Sequence, residues 1–152
     1  MKEVQFIVKT AQDTMDIGEK TGYLLQGNSL LTLSGELGAG KTTFTKGLAK
    51  GLDITQNVTS PTFTIMKNYN GRMVLNHIDA YRLEDVSQDL GFDEYIEGDG
   101  VTVIEWADFI QDYLPEEKLN INFHINDDGS RTLSFKAIGQ KYEEVLDKLC
   151  IQ

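Results

Sequence analysis

The sequence predicts an α/β fold, a central and largely parallel sheet with flanking antiparallel strands and helices on both faces, in a single domain spanning residues 1–152. Three observations predict it. Short apolar runs alternate with helical periodicity through the first two thirds of the chain, period-two alternation takes over near Leu119, and one glycine-rich segment joins a strand directly to a helix. A chain of this length buries roughly 70% of its unfolded surface around one core. No repeat, low-complexity tract or Pro/Gly/Ser linker marks an internal boundary.

Each element follows from its pattern. Val4 to Val8 reads as a strand, and Thr10-Ala11-Gln12-Asp13 as a capping box opening a helix that runs to about Leu25. Leu30 to Leu33 is a short apolar strand ending at Gly35. Lys41 to Leu52 carries Phe44, Leu48 and Leu52 at helical spacing, with Gly51 near its end. Phe63 to Tyr69 and Met73 to Ile78 flank Asn70-Gly71, a pair at ease with positive φ at both central positions of a tight turn, so a β-hairpin is expected. Glu84 to Tyr95 reads as irregular helix, Val101 to Ile104 as a buried strand, and Trp106 to Leu114 as a short helix stopped by Pro115. Leu119, Ile121, Phe123 and Ile125 then alternate with polar residues. Asn126-Asp127-Asp128-Gly129 turns this strand into Thr132 to Ala137, and a last helix covers Gln140 to Leu149.

Composition sets the functional limits. With 40% hydrophobic and 25% charged residues, the chain falls outside disordered and fibrous classes. No apolar run reaches the roughly 18 residues of a membrane span, and the N-terminus carries no signal-peptide core, so a cytoplasmic protein without a membrane partner is expected. The single Cys150 excludes an internal disulfide and a Cys-rich zinc site. Residues 1–82 hold nine Lys/Arg and seven Asp/Glu, residues 83–117 none and twelve, and residues 118–152 five and five. The net charge of −10 therefore arises in the middle segment, which either meets a basic protein partner or is a solvated face. Without a basic footprint, tight autonomous binding of tRNA or DNA is disfavoured.

Gly35-Glu36-Leu37-Gly38-Ala39-Gly40-Lys41-Thr42 matches the phosphate-binding loop G-x-x-x-x-G-K-[ST] in full. The loop follows an apolar strand and opens a helix, which aims backbone N–H groups and the positive end of a helix dipole at one point. The glycines let the main chain curl round phosphate oxygens with no Cβ in the way, so Gly38, Ala39, Gly40 and Thr43 are expected beside the nucleotide, while Lys41 reaches the β- and γ-phosphates and the Thr42 hydroxyl suits Mg²⁺. ATP or ADP with Mg²⁺ is the expected cofactor. The acidic middle does not oppose this. A carboxylate ~20 Å away contributes a few hundredths of a kcal/mol through a ~8 Å Debye length, against a few kcal/mol for a lysine ~4 Å from phosphate.

A phosphate loop also needs a carboxylate at a neighbouring strand end. Asp79 ends the apolar run from Met73, and Glu105 ends the run from Val101. Asp79 is assigned as an outer-shell Mg²⁺ carboxylate. Glu105 is assigned either a second metal contact or the polarisation of the attacking water. His77 shares the strand face of Asp79 and either approaches the phosphates or is a satisfied structural histidine. Thr59-Ser60-Pro61-Thr62 offers hydroxyls to a nucleotide sensor or forms a plain turn, and Trp106 either lies beside the nucleotide or packs.

Four motifs in order carry a family resemblance: the loop continued by Thr43-Phe44, Ser60-Pro61-Thr62-Phe63, His77-Ile78-Asp79-Ala80-Tyr81-Arg82-Leu83, and Glu105-Trp106-Ala107. Together, over nearly the whole chain, they resemble the TsaE (YjeE) family of bacterial ATPases of tRNA threonylcarbamoyladenosine formation. The resemblance implies a small P-loop fold and a weak intrinsic ATPase working with the TsaB and TsaD proteins. Those partners attach threonylcarbamoyl to adenosine 37 of tRNAs reading codons that begin with A, so tRNA contact falls mainly to them. It also implies Lys41 and Thr42 on phosphate and metal, Asp79 and Glu105 at metal and water, and Thr62 in the switch segment. Arg131 and the start of the first helix, Thr10-Ala11, are implied to help hold the nucleotide.

Two other classes compete with this ATPase. A small-molecule kinase shares the loop but needs several arginines to grip acceptor and transferred phosphate, and this chain has three, Arg72, Arg82 and Arg131. A nucleotide-dependent binding module would work without hydrolysis.

Overall fold

The computed structural model describes residues 1–36, 38–59, 66–79, 96, 98–105 and 114–150. Its seven strands are β1 (Lys2–Val8), β2 (Ser29–Gly35), β3 (Met66–Asn70), β4 (Val74–Asp79), β5 (Val101–Glu105), β6 (Lys118–Ile125) and β7 (Arg131–Ile138). Three helices accompany them: α1 (Ala11–Leu24), α2 (Lys41–Gly51) and α3 (Gln140–Cys150).

The strands form one sheet in the order β1-β7-β6-β2-β5-β4-β3. Its centre, β6-β2-β5-β4, is parallel, and β1, β7 and β3 pair antiparallel at the flanks. The mixed sheet expected from the element order is therefore present. Central strands carry continuous apolar runs because both their faces are covered, and β5 is buried along its whole length. One face packs Leu31, Leu33, Val101 and Val103 against Phe44, Leu48 and Leu146 of the helices. On the other, Leu30, Ile78 and Ile104 pack with Met66, Ile96 and Leu114. The helices expected at 84–95 and 106–114 fall almost wholly outside the described residues.

β6 alternates as predicted, with Leu119, Ile121 and Phe123 buried and Asn122 and His124 exposed. The capping box also forms. Thr10 Oγ1 accepts from the Asp13 N–H at 3.1 Å, and Asp13 Oδ2 accepts from the Thr10 N–H at 3.3 Å. Opposite α1, Gly47 and Gly51 of α2 face Met15 and Glu19, and Gly18 and Gly22 face Phe44 and Leu48. At each of the four, a side-chain carbon would fall within 3.0 Å of backbone on the other helix.

One turn departs from expectation. β3 and β4 pair antiparallel, but Asn70 stands in register with Val74, so the connection is Gly71–Met73, and neither Asn70 nor Gly71 has positive φ. Tertiary docking decides the turn. The Arg72 N–H donates to the Leu52 carbonyl at 2.8 Å, and a side-chain carbon at Gly71 would collide with that same carbonyl. The Arg72 guanidinium then donates to the Gly22 and Tyr23 carbonyls at 2.7 and 3.1 Å, closing the end of α1.

Candidate functional site

The loop between β2 and α2 takes a shape that side chains oppose. Gly35, Gly38 and Gly40 have φ of 128°, 80° and 112°, the left-handed region, and Gly40 is the N-cap of α2. At Gly35 there is also no room, since an added carbon would meet the Phe123 backbone of β6. The turn is closed by the Ala39 N–H donating to Glu36 O at 3.1 Å, with Ala39 fully buried. No side-chain hydrogen bond caps α2. Its first N–H groups therefore remain to bind an anion, reinforced by the helix dipole.

Lys41, the first residue of α2, is 5% exposed, and its Nζ donates to Gly35 O at 3.0 Å. Burial pulls its pKa below the ordinary lysine value, and the negative charges of Glu105 and Asp79 oppose that shift. The ammonium therefore sits in the field of both strand-end carboxylates. Asp79 and Glu105 are register partners at the ends of β4 and β5, and Glu105 also pairs with Leu33, two residues before the loop begins. Lys41, Asp79 and Glu105, chosen from sequence at separate points, thus converge. Thr42 and Thr43 follow Lys41, half-buried, in the first turn of α2.

A cavity of about 230 Å³ opens on the other side of the loop. It is lined by Thr10, Ala11, Gly38, Gly40, Thr43 and Arg131, together with Val8, Lys9 and Thr14. Six of the expected nucleotide-binding residues are therefore gathered in one hollow. Arg131 reaches it because β1 pairs with β7, setting Val8 opposite Arg131. Its guanidinium donates to Gly129 O at 2.7 Å and Gly38 O at 3.4 Å, tying the β6–β7 turn to the loop. A larger hollow, about 740 Å³, lies beside Tyr23, Lys50 and Lys148 and contains none of the expected residues. Thr62, Ser60 and Trp106 lie outside the described residues.

Among the described residues no group of three or more His, Cys, Asp or Glu could hold a metal ion by itself. The donor set near the loop is instead one hydroxyl, Thr42, and two carboxylates, Asp79 and Glu105. All are hard oxygens. That set fits Mg²⁺, which binds through one or two carboxylates plus phosphate oxygens and keeps several waters.

Two features went unforeseen. Lys9 and Thr14 flank residues that were expected, and the period-four step from Thr10 to Thr14 was the available signal. The second is the contact between His77 and Glu105, whose Nε2 and Oε2 are 2.6 Å apart. No helix among the described residues is long and apolar enough to cross a membrane.

The family model for threonylcarbamoyl adenosine biosynthesis protein TsaE matches residues 8–133. The chain belongs to the TsaE family. A relative from Bacillus subtilis (strain 168), named tRNA threonylcarbamoyladenosine biosynthesis protein TsaE, is 47% identical over 150 residues, which cover 98% of this chain and 95% of that protein. One of the same name from Treponema pallidum (strain Nichols) is 43% identical over 130 residues, covering 84% of this chain and 96% of the relative. The crystal structure of Bacillus subtilis YdiB superposes with a TM-score of 0.86 at 41% identity, covering 97% of this chain and 94% of that one. Family and fold thus agree with the resemblance drawn from the four motifs.

Proposed function

We propose that this chain is a Mg²⁺-dependent ATPase that binds and slowly hydrolyses ATP to drive or reset a TsaB–TsaD complex. That complex makes N6-threonylcarbamoyladenosine at position 37 of tRNAs reading codons that begin with A. The observation that carries the reading is the convergence of a buried Lys41, at the loop, with the carboxylates of Asp79 and Glu105. The names of the relatives support the tRNA-modification part.

In this mechanism the loop amides and Lys41 bind the phosphates, with Lys41 exchanging its bond to Gly35 O for phosphate oxygens. Thr42 and Asp79 would hold Mg²⁺, which neutralises phosphate charge when bound. Glu105, 6% exposed, orients a water toward the γ-phosphate and accepts its proton. Slow turnover by the isolated chain accords with the arginines among the described residues, Arg82 falling outside them. Arg72 is committed to the end of α1, and Arg131 lies in the cavity lined by Thr10, Gly38 and Thr43, which neither Asp79 nor Glu105 lines. That scarcity also disfavours the kinase reading.

The test is Mg²⁺-dependent phosphate release from ATP, measured alone and with TsaB and TsaD, using Lys41→Ala as the blank. Stimulation by the partners, absent in the blank, is expected. Glu105→Gln should keep ADP binding and lose about 100-fold or more in turnover. Negligible release despite ATP binding and complex formation would favour a binding switch, and transfer of the γ-phosphate to a metabolite would favour a kinase.

A further inference from the structure

The backbone of β5 does not by itself fix the Glu105 side chain, which has three rotatable bonds. His77 lies on β4 opposite Val103, one diagonal step from Glu105, in the parallel register. Its ring is fully buried, with Nε2 at 2.6 Å from Glu105 Oε2. An ionised carboxylate only accepts, so Nε2–H is the donor. The other ring nitrogen, Nδ1, is buried without a hydrogen-bond partner among the described residues. Burying a polar atom unpaired costs free energy that an apolar side chain of similar shape avoids. Packing alone therefore gives no reason for a histidine here. The bond to Glu105 does.

We propose that His77 is a positioning residue for hydrolysis: its bond to Oε2 holds the Glu105 carboxylate in one orientation and leaves Oε1 as the oxygen that meets the attacking water. The inference rests on the reading of Glu105 as the group that polarises that water. A base must come within hydrogen-bond reach of the proton it takes, and small misplacements are costly, so fixing the carboxylate before the nucleotide arrives favours turnover. In this role His77 acts only through Glu105. Its removal should alter kcat and leave nucleotide binding alone.

The experiment uses three variants of the full chain, measured under the conditions in which the wild type turns over, with thermal melts to verify folding. His77→Phe keeps the bulk and loses the bond. His77→Gln carries an amide N–H at about the reach of Nε2, whereas the amide of His77→Asn is one methylene shorter and falls short of Glu105. The Phe and Asn variants should lose about 10- to 100-fold in kcat. Their KM for ATP and affinity for ADP should stay within about twofold of wild type, and the Gln variant should recover most of the rate. The Gln and Asn pair decides the matter even if the Phe variant fails to fold. Equal rates for those two, or a loss confined to KM and ADP affinity, would overturn the proposal. Glu105→Gln separates the two possible failures. If it hydrolyses as fast as wild type, the reading of Glu105 falls and the inference with it. If it is slow while the folded His77 variants are fast, only the inference falls.

Discussion

The two sides of the phosphate loop are held by different physics. On the helical side, α1 and α2 meet backbone to backbone, and the buried residues of α1 are Thr14, Gly18, Thr21 and Gly22, all small and uncharged. On the strand side, the ends of β4 and β5 bring two carboxylates toward the ammonium of Lys41, and a buried imidazole contacts one of them, Glu105. The helical contact sets where the loop lies. The strand ends set what chemistry it can perform. Stability should therefore be lost chiefly by adding atoms on the first side, and activity chiefly by removing polar atoms on the second.

A large stability effect is expected at Gly18→Ala. Alanine is the better helix former by about 1 kcal/mol, which argues for a gain. The new carbon, however, would meet the Phe44 carbonyl oxygen closer than 3.0 Å, and a backbone atom inside a helix cannot swing aside as a side chain can. Overpacking costs roughly 1–3 kcal/mol or more, and a clash with backbone that cannot move belongs at the upper end, so after the helix gain of about 1 kcal/mol a net loss of about 2 kcal/mol is expected in urea unfolding. A variant as stable as wild type would show that α1 and α2 part easily, and the contrast between the two sides would disappear.

Thr10→Ala should cost less. It removes one half of the capping box, for which about 1 kcal/mol is typical, and at this chain length that lowers the melting temperature by about 2–4 °C. Thr10 also lines the cavity beside the loop. ADP affinity measured on the same variant sharpens the comparison. If affinity falls while the melting temperature holds, the hydroxyl serves the ligand more than the helix.

What could be read from the sequence was what is local. The loop, the Thr10–Asp13 cap and the alternation of β6 each depend on residues a few positions apart, and each formed as expected. The hairpin turn was misjudged because Gly71 answers to Leu52, nineteen residues earlier, and not to its neighbours. The His77–Glu105 contact needed the register of β4 on β5, which no spacing reveals. Thr10, Ala11 and Arg131 were reached only through family resemblance, because β1–β7 pairing joins them across most of the chain. The paired glycines Gly18/Gly22 and Gly47/Gly51 were visible, but a four-residue glycine spacing names no partner helix.

The smallest effect tests whether charge on the strand side costs stability. Burial lowers the Lys41 pKa below its ordinary value of 10.5 by more than Glu105 and Asp79 raise it. Between the folded value and 10.5 the unfolded chain therefore binds more protons than the folded one, and stability contributed through Lys41 rises with pH across that window. Below the window the cost of the buried ammonium is constant. Lys41→Met removes this titration. The stability of wild type minus that of the Met variant should thus be greater at about pH 10 than at about pH 7, measured by urea unfolding of the two chains side by side. A difference that stays flat would mean that the ammonium is not desolvated, and that water reaches the strand side as freely as it reaches the outer face of α1.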